Sequence, residues 1–153
     1  MTIDEIVTYV ESLGGVLTLR PGPGDGPPEI AWGDAFFYFA PDGVVPRGQP
    51  FATIITKDYP GEPSAGLDRP DAFRVNVSVD ATTFRERTGR DKREAVSPEV
   101  DFTAEDMLMA HPAYSRQGWL AVVNPGPETQ GDLRGLLEAA HHRARLHADP
   151  RAT

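Results

Sequence analysis

Three short stretches carry the side chains best suited to chemistry. The first is His111-Pro112-Ala113-Tyr114, followed by Trp119. A histidine ahead of a proline sits in irregular backbone, because the proline ring disfavours helix in the residue before it. Beside a buried strand, His111 can face a cleft as a general acid or base, with Tyr114 near it. The plainer reading is a capped helix end with Tyr114 and Trp119 packing on the core. The second stretch is Thr56-Lys57-Asp58-Tyr59-Pro60-Gly61, at the end of an apolar run. Loops at strand ends carry much of the function of proteins. Lys57 and Tyr59 would there line a pocket mouth, or Lys57 and Asp58 would form a surface ion pair worth less than ~1 kcal/mol. The third is Arg74 and Asn76, which alternate with Phe73, Val75 and Val77 and so occupy the opposite face of a strand. On a covered face they need polar partners; on an open one they do not. Trp32, beside Gly33-Asp34, joins Phe36, Phe37, Tyr38 and Phe39 in an aromatic-rich segment. Most of it belongs in a core, and part of it can floor an apolar pocket.

An enzyme built on His111 requires Tyr114, Lys57 or Asp58 to converge on it, within ~3 Å or one water. No G-x-S-x-G, H-E-x-x-H, P-loop or EF-hand loop is present. The Gly/Pro run at 21–28 is no phosphate cradle, since its prolines lack N–H groups. The residues therefore favour a small-ligand or partner-binding module without catalysis. Its candidate contacts are Trp32, Lys57, Asp58, Tyr59, Arg74 and Asn76, together with His111, Tyr114 and Trp119. No cofactor is expected. No metal site is expected either: His141 and His142 project about 100° apart on a helix, and no facing carboxylate completes a ligand pair.

The chain has 153 residues, one domain's worth, and no cysteine. Disulfides, thiolate metal sites and a cysteine nucleophile are excluded. The formal charge is −8, which repels phosphate backbones. The one basic concentration holds Arg85, Arg87, Arg90, Lys92 and Arg93 against Glu86 and Asp91. It reads as a solvated helix end before it reads as a nucleic-acid surface. Lys57 and Lys92 are the only lysines among 15 cations; with 15 Gly and 15 Pro, this arginine bias suggests a GC-rich genome. The start, Met1-Thr2-Ile3-Asp4-Glu5, is acidic and leads to no apolar targeting segment, and no run approaches the ~20 residues that span a bilayer. A cytoplasmic protein off the membrane is expected, as a monomer or a homodimer.

The elements that must position these residues follow from spacing. Thr2 and Glu5 form a capping box ahead of Ile3, Ile6, Val7, Val10 and Leu13, with Gly14-Gly15 as the stop. Strands are predicted at 16–19, 29–32, 35–40, 51–56, 73–79 and 119–123, with 29–32 and 35–40 as a hairpin about Gly33-Asp34. Asp80 caps a short helix closed by Gly89. Thr103 to Asp106 reads as a second cap leading into a helical turn at Met107-Leu108-Met109. Thr129 caps a last helix with an apolar stripe of Leu133, Leu136, Leu137, Ala140 and Ala144. The connections are too short for helical crossovers, so the strands pair antiparallel. The prediction is a single α+β domain over 1–147, an antiparallel sheet packed against N- and C-terminal helices, with a frayed tail at 148–153.

Five stretches, Glu29 to Tyr38, Pro50 to Tyr59, Phe73 to Val77, His111 to Tyr114 and Gly118 to Pro125, together resemble a bacterial family of unknown function, the domain of unknown function numbered 6194. The resemblance spans nearly the whole chain and implies no assigned activity. More remotely, the C-terminal half resembles the MmcQ/YjbR-like group, with a His/Tyr segment, a Trp-led strand, a turn and a closing helix. That implies a compact fold similar to CyaY-like and double-wing domains, and for some members binding of DNA or natural products. Gln117-Gly118 stands where that group has a basic residue before the tryptophan, and no functional residue carries over from it.

Overall fold

Alternation along one strand organises the molecule. β4 (Arg74–Ser78) turns Val75 and Val77 to one face of a sheet and Arg74 and Asn76 to the other. In the computed structural model, which describes residues 1–148, the sheet has six strands in the order β1-β2-β3-β4-β6-β5. Its other members are β1 (Val16–Leu19), β2 (Ala35–Phe39), β3 (Ala52–Ile55), β5 (Leu108–Ala110) and β6 (Trp119–Val123). Every neighbouring pair is antiparallel, as the short connections require.

Three helices complete the α+β domain: α1 (Ile3–Ser12), α2 (Ala81–Thr88) and α3 (Gln130–Ala148). The capping box holds at α1: the Thr2 hydroxyl accepts from the Glu5 amide and the Glu5 carboxylate from the Thr2 amide. Asp80 caps α2 and Gly89 closes it in the left-handed conformation. Ile6, Val7 and Val10 of α1 and Leu133, Leu136, Leu137 and Ala140 of α3 are buried together against Phe37, Ile54, Val75, Val77 and Leu120. Each large side chain buried there contributes about 1.5–3 kcal/mol. Phe73 and Val79 join the same core, so the period-two reading of 73–79 holds at both ends. The opposite face carries a smaller cluster, Ile55, Ala65, Leu67, Ala72 and Val123, which pins the loop between β3 and β4 to the sheet.

Two expected elements differ. Glu29 to Trp32 is not a hairpin arm. Glu29–Ala31 is a 3-10 turn, because β1 and β3 already occupy both edges of β2 and Pro28 supplies no N–H for a ladder. The Met107-Leu108-Met109 segment is not helical either. Leu108 and Ala110 instead pair with Val122 and Leu120, covering the outer edge of β6. The Asp106 side chain, read as part of a local cap, serves α3. It accepts from the amides of Gly126, Glu128 and Thr129 and from the Thr129 hydroxyl. Thr129 does precede α3, but its hydroxyl is spent on Asp106.

α3 continues through His147 to Ala148; the rest of the expected tail lies outside the described residues. His141 and His142 diverge: His141 donates to the Gly14 carbonyl at 2.7 Å and meets the Phe39 and Phe51 rings edge-on, while His142 faces Arg145. Among the described residues no helix is long and apolar enough to cross a membrane.

Candidate functional site

The register places a row of side chains on the helix-free face. Phe36 pairs with Thr53 and Thr53 with Asn76; Ile55 pairs with Arg74, and Ser78 with Trp119. Residues opposite each other in antiparallel strands share a face. All of this row but Ser78 lines a cavity of ≈ 430 Å³, a size typical of small-molecule sites. Tyr59 and Glu62 reach it from the β3–β4 loop, His111, Tyr114 and Gln117 from the β5–β6 connection, and Gln49 and Pro50 from the approach to β3. Six of the nine residues singled out from sequence line it: Tyr59, Arg74, Asn76, His111, Tyr114 and Trp119.

His111 owes its place to the segment that follows it. Pro112 holds a turn, and the imidazole Nδ1 accepts from the backbone amides of Ala113 at 3.0 Å and Tyr114 at 2.9 Å. The Tyr114 ring packs on the imidazole, with centroids 4.9 Å apart. His111 is 2% exposed. Burial, and then the nearby Arg74 charge, bring its pKa down to about 3. The ring is neutral at ordinary pH.

Arg74 is 4% exposed. Its Nε donates to the Asn76 side-chain oxygen at 2.9 Å, and the Asn76 amide donates to the Thr53 hydroxyl at 2.9 Å. One terminal nitrogen lies 3.4 Å from His111 Nε2. Among the described residues no carboxylate comes within ion-pair distance of Arg74. Burial pulls its pKa down, and the more distant carboxylates of Glu62, Asp58 and Asp34 oppose that. An arginine stays charged through such a shift. Glu62 Oε1 is likewise buried without a hydrogen-bond partner.

The other three candidates lie behind the cavity wall. Lys57 does not pair with Asp58. Its Nζ donates to the Trp32 carbonyl at 2.6 Å and to Asp34 at 3.3 Å. Asp58 instead folds its own loop, accepting from the Ser64 hydroxyl and the Ala65 amide. Trp32 contributes its carbonyl, and its buried indole N–H has no partner among the described residues. The residue that joins this group is Asp34, wholly buried. It accepts from the Thr56 amide and hydroxyl, from Lys57 and from the Tyr59 hydroxyl. Burial, and then Asp34, push the Tyr59 phenol well above its usual range.

Sequence reasoning passed over Asp34, Thr53 and Glu62. Thr53 carries the same signal as Arg74 and Asn76, a polar residue in an apolar strand. Asp34 sits in a turn, where aspartate is ordinary, and nothing marks Glu62.

The four arginines of the basic concentration are paired with carboxylates. Arg85 and Arg93 both meet Asp91, Arg90 meets Glu94, and Arg87 meets Asp132. Among the described residues no cluster of three or more His, Asp or Glu gathers to hold a metal.

The model of a family of unknown function, DUF6194, matches residues 1–153, and the chain belongs to that family. No curated protein and no solved structure matches it, so the MmcQ/YjbR-like resemblance receives no confirmation from either.

Proposed function

We propose that this member of DUF6194 is a small-molecule-binding module without catalytic activity, working in the cytoplasm, and that the cavity on the helix-free face is its site. One observation carries the reading: Arg74 is buried at the floor of a cavity of ligand size and has no carboxylate partner among the described residues. A buried charge without a partner costs several kcal/mol, and a bound ligand is a direct way to offset that cost. Phe36, Tyr38, Ile55 and Trp119 add an apolar lining, the usual mix of apolar wall and few polar anchors.

The His111 enzyme reading ranks second. Its Nδ1 is taken by two amides and its pKa is brought down to about 3, far from the near-neutral value suited to a general base. Lys57 and Asp58 have other partners. Nucleic-acid binding ranks third, since the arginines of the 85–93 segment already have carboxylates.

The two tryptophans give the test. Trp119 lines the cavity and Trp32 does not. A panel of small metabolites screened by thermal shift, then by the two indole N–H signals in a proton–nitrogen correlation spectrum, should yield compounds that stabilise the protein and displace the Trp119 signal most. A panel that stabilises without moving Trp119, or not at all, would count against this site.

A further inference from the structure

Building on the small-ligand reading, we infer that the cavity receives the carboxylate of a small monoanionic organic acid, held between the Arg74 guanidinium and His111 Nε2–H, with the acid's apolar body against Phe36, Ile55 and Trp119.

The first step is the histidine tautomer. Backbone amides can only donate. Nδ1 accepts two of them, so Nδ1 carries no proton. A neutral imidazole then holds its proton on Nε2. His111 Nε2 is therefore a donor, and it stands 3.4 Å from a terminal nitrogen of Arg74, which is also only a donor. The contact is no hydrogen bond. Two donors lie side by side in a buried place, and each lacks an acceptor in the other.

The second step is what an acceptor there must look like. Two adjacent donors, one of them a planar fork, fit the two oxygens of a carboxylate. Asn76 holds Arg74 Nε and Thr53 holds Asn76, so the fork is fixed before a ligand arrives. Such preorganisation lowers the cost of binding.

The third step is charge. Arg74 supplies one positive charge, the neutral His111 none. Glu62 lines the same cavity, and Asp58 and Asp34 act on Arg74 from further off. Asp34 is already paired with Lys57, so Arg74 faces Glu62 and Asp58 with one positive charge to share, and these carboxylates disfavour a dianion such as a phosphate ester more strongly than a monoanion. The lining beyond the two donors is largely aromatic and aliphatic, which suits an apolar body.

Benzoate, benzamide, benzylamine and phenyl phosphate, titrated separately against the full chain and followed at the Trp119 indole signal, test the inference. Benzoate should bind best. Arg74→Met should weaken it on the order of ten- to a hundredfold, the loss expected for a charge-assisted bond. Equal or better binding of benzamide, benzylamine or phenyl phosphate would overturn the carboxylate and leave the cavity reading standing. No response of Trp119 to any of the four, or to the wider panel, would overturn both. Because Arg74→Met removes a buried group and can fail to fold, long-range proton–nitrogen spectra of the unaltered protein provide the second measurement. They should show His111 protonated on Nε2, and a proton on Nδ1 would remove the paired donors and the inference with them.

Discussion

The Tyr59 hydroxyl donates to the buried carboxylate of Asp34 at 2.5 Å. Tyr59 lines the cavity, whereas Asp34 lies behind it and also receives the Thr56 amide and hydroxyl and the Lys57 ammonium. One carboxylate thus ties the start of β2 to the end of β3 and holds a cavity wall in place.

Removing that carboxylate should be costly. Asp34→Ala leaves Thr56 and Tyr59 without their acceptor and leaves the Lys57 ammonium with neutral acceptors alone, the Trp32 carbonyl and the Thr56 hydroxyl. Breaking a buried pair costs about 3–5 kcal/mol, and the lower end applies here because Lys57 is 31% exposed. Urea denaturation should show a loss near 3 kcal/mol. Tyr59→Phe should cost roughly 1 kcal/mol, since only one donor is lost. A loss below ~1 kcal/mol for Asp34→Ala would mean the group is not a brace.

Stability should fall in acid partly through His111. Its folded pKa is about 3, below the ordinary 6.5, so between those values the unfolded chain holds a proton the folded chain does not. The contribution is complete above pH 6.5 and is lost as pH falls toward 3, at up to about 1.4 kcal/mol per pH unit. The side chains against the ring are Arg74 and Tyr114, with Glu62 lining the same cavity. Melting curves of His111→Gln should therefore fall less steeply than the parent's between pH 6 and 4. Parallel curves would remove the buried neutral imidazole from the account.

Asp106 predicts a second acid effect at lower pH. Burial works to raise its pKa, but the Thr129 hydroxyl and the amides of Gly126, Glu128 and Thr129 outweigh it and bring the value to about 2. A depressed carboxylate stabilises above its unfolded value of 3.8 and loses that contribution as pH falls through 2. Asp106→Ala should cost about 1–2 kcal/mol, as for other caps, with hydrogen exchange accelerated in the first turn of α3. Unchanged exchange there would show that α3 does not depend on the cap.

Gly118 should not tolerate a side chain. It has φ +83, and a Cβ on it would lie 2.9 Å from the Val79 carbonyl oxygen, which itself belongs to the backbone beside β4. Left-handed strain alone costs about 1–2 kcal/mol, and here the neighbour cannot step aside. Gly118→Ala should lower the melting temperature by several degrees. Because Trp119 follows directly, its indole signal should move as well.

Residues that obey a short period were legible in the sequence. Arg74 and Asn76 stand out against Val75 and Val77 by parity alone, and the parity proved to be the division between core and cavity. The α1 capping box and the α3 stripe were equally local. What failed were matters of who pairs with whom. Lys57 has Asp58 beside it in sequence, but Asp34 meets it because β2 and β3 are neighbours. Thr103 to Asp106 has the residues of a local cap, yet α3 takes the Asp106 carboxylate and β6 takes the following backbone. Such competitions are decided by tertiary placement, and no window of adjacent residues contains both contestants.

The two-faced sheet has a practical consequence for engineering. Side chains that hold α1 and α3 and those that meet the cavity alternate on the same strands, so the cavity side can be varied without replacing a core side chain. A combinatorial library at Tyr38, Gln49 and Gln117 touches none of the principal core and leaves the Arg74–Asn76–Thr53 chain intact. Selectivity can thus be retuned along one face while the packing of α1 and α3 on the other keeps its own side chains.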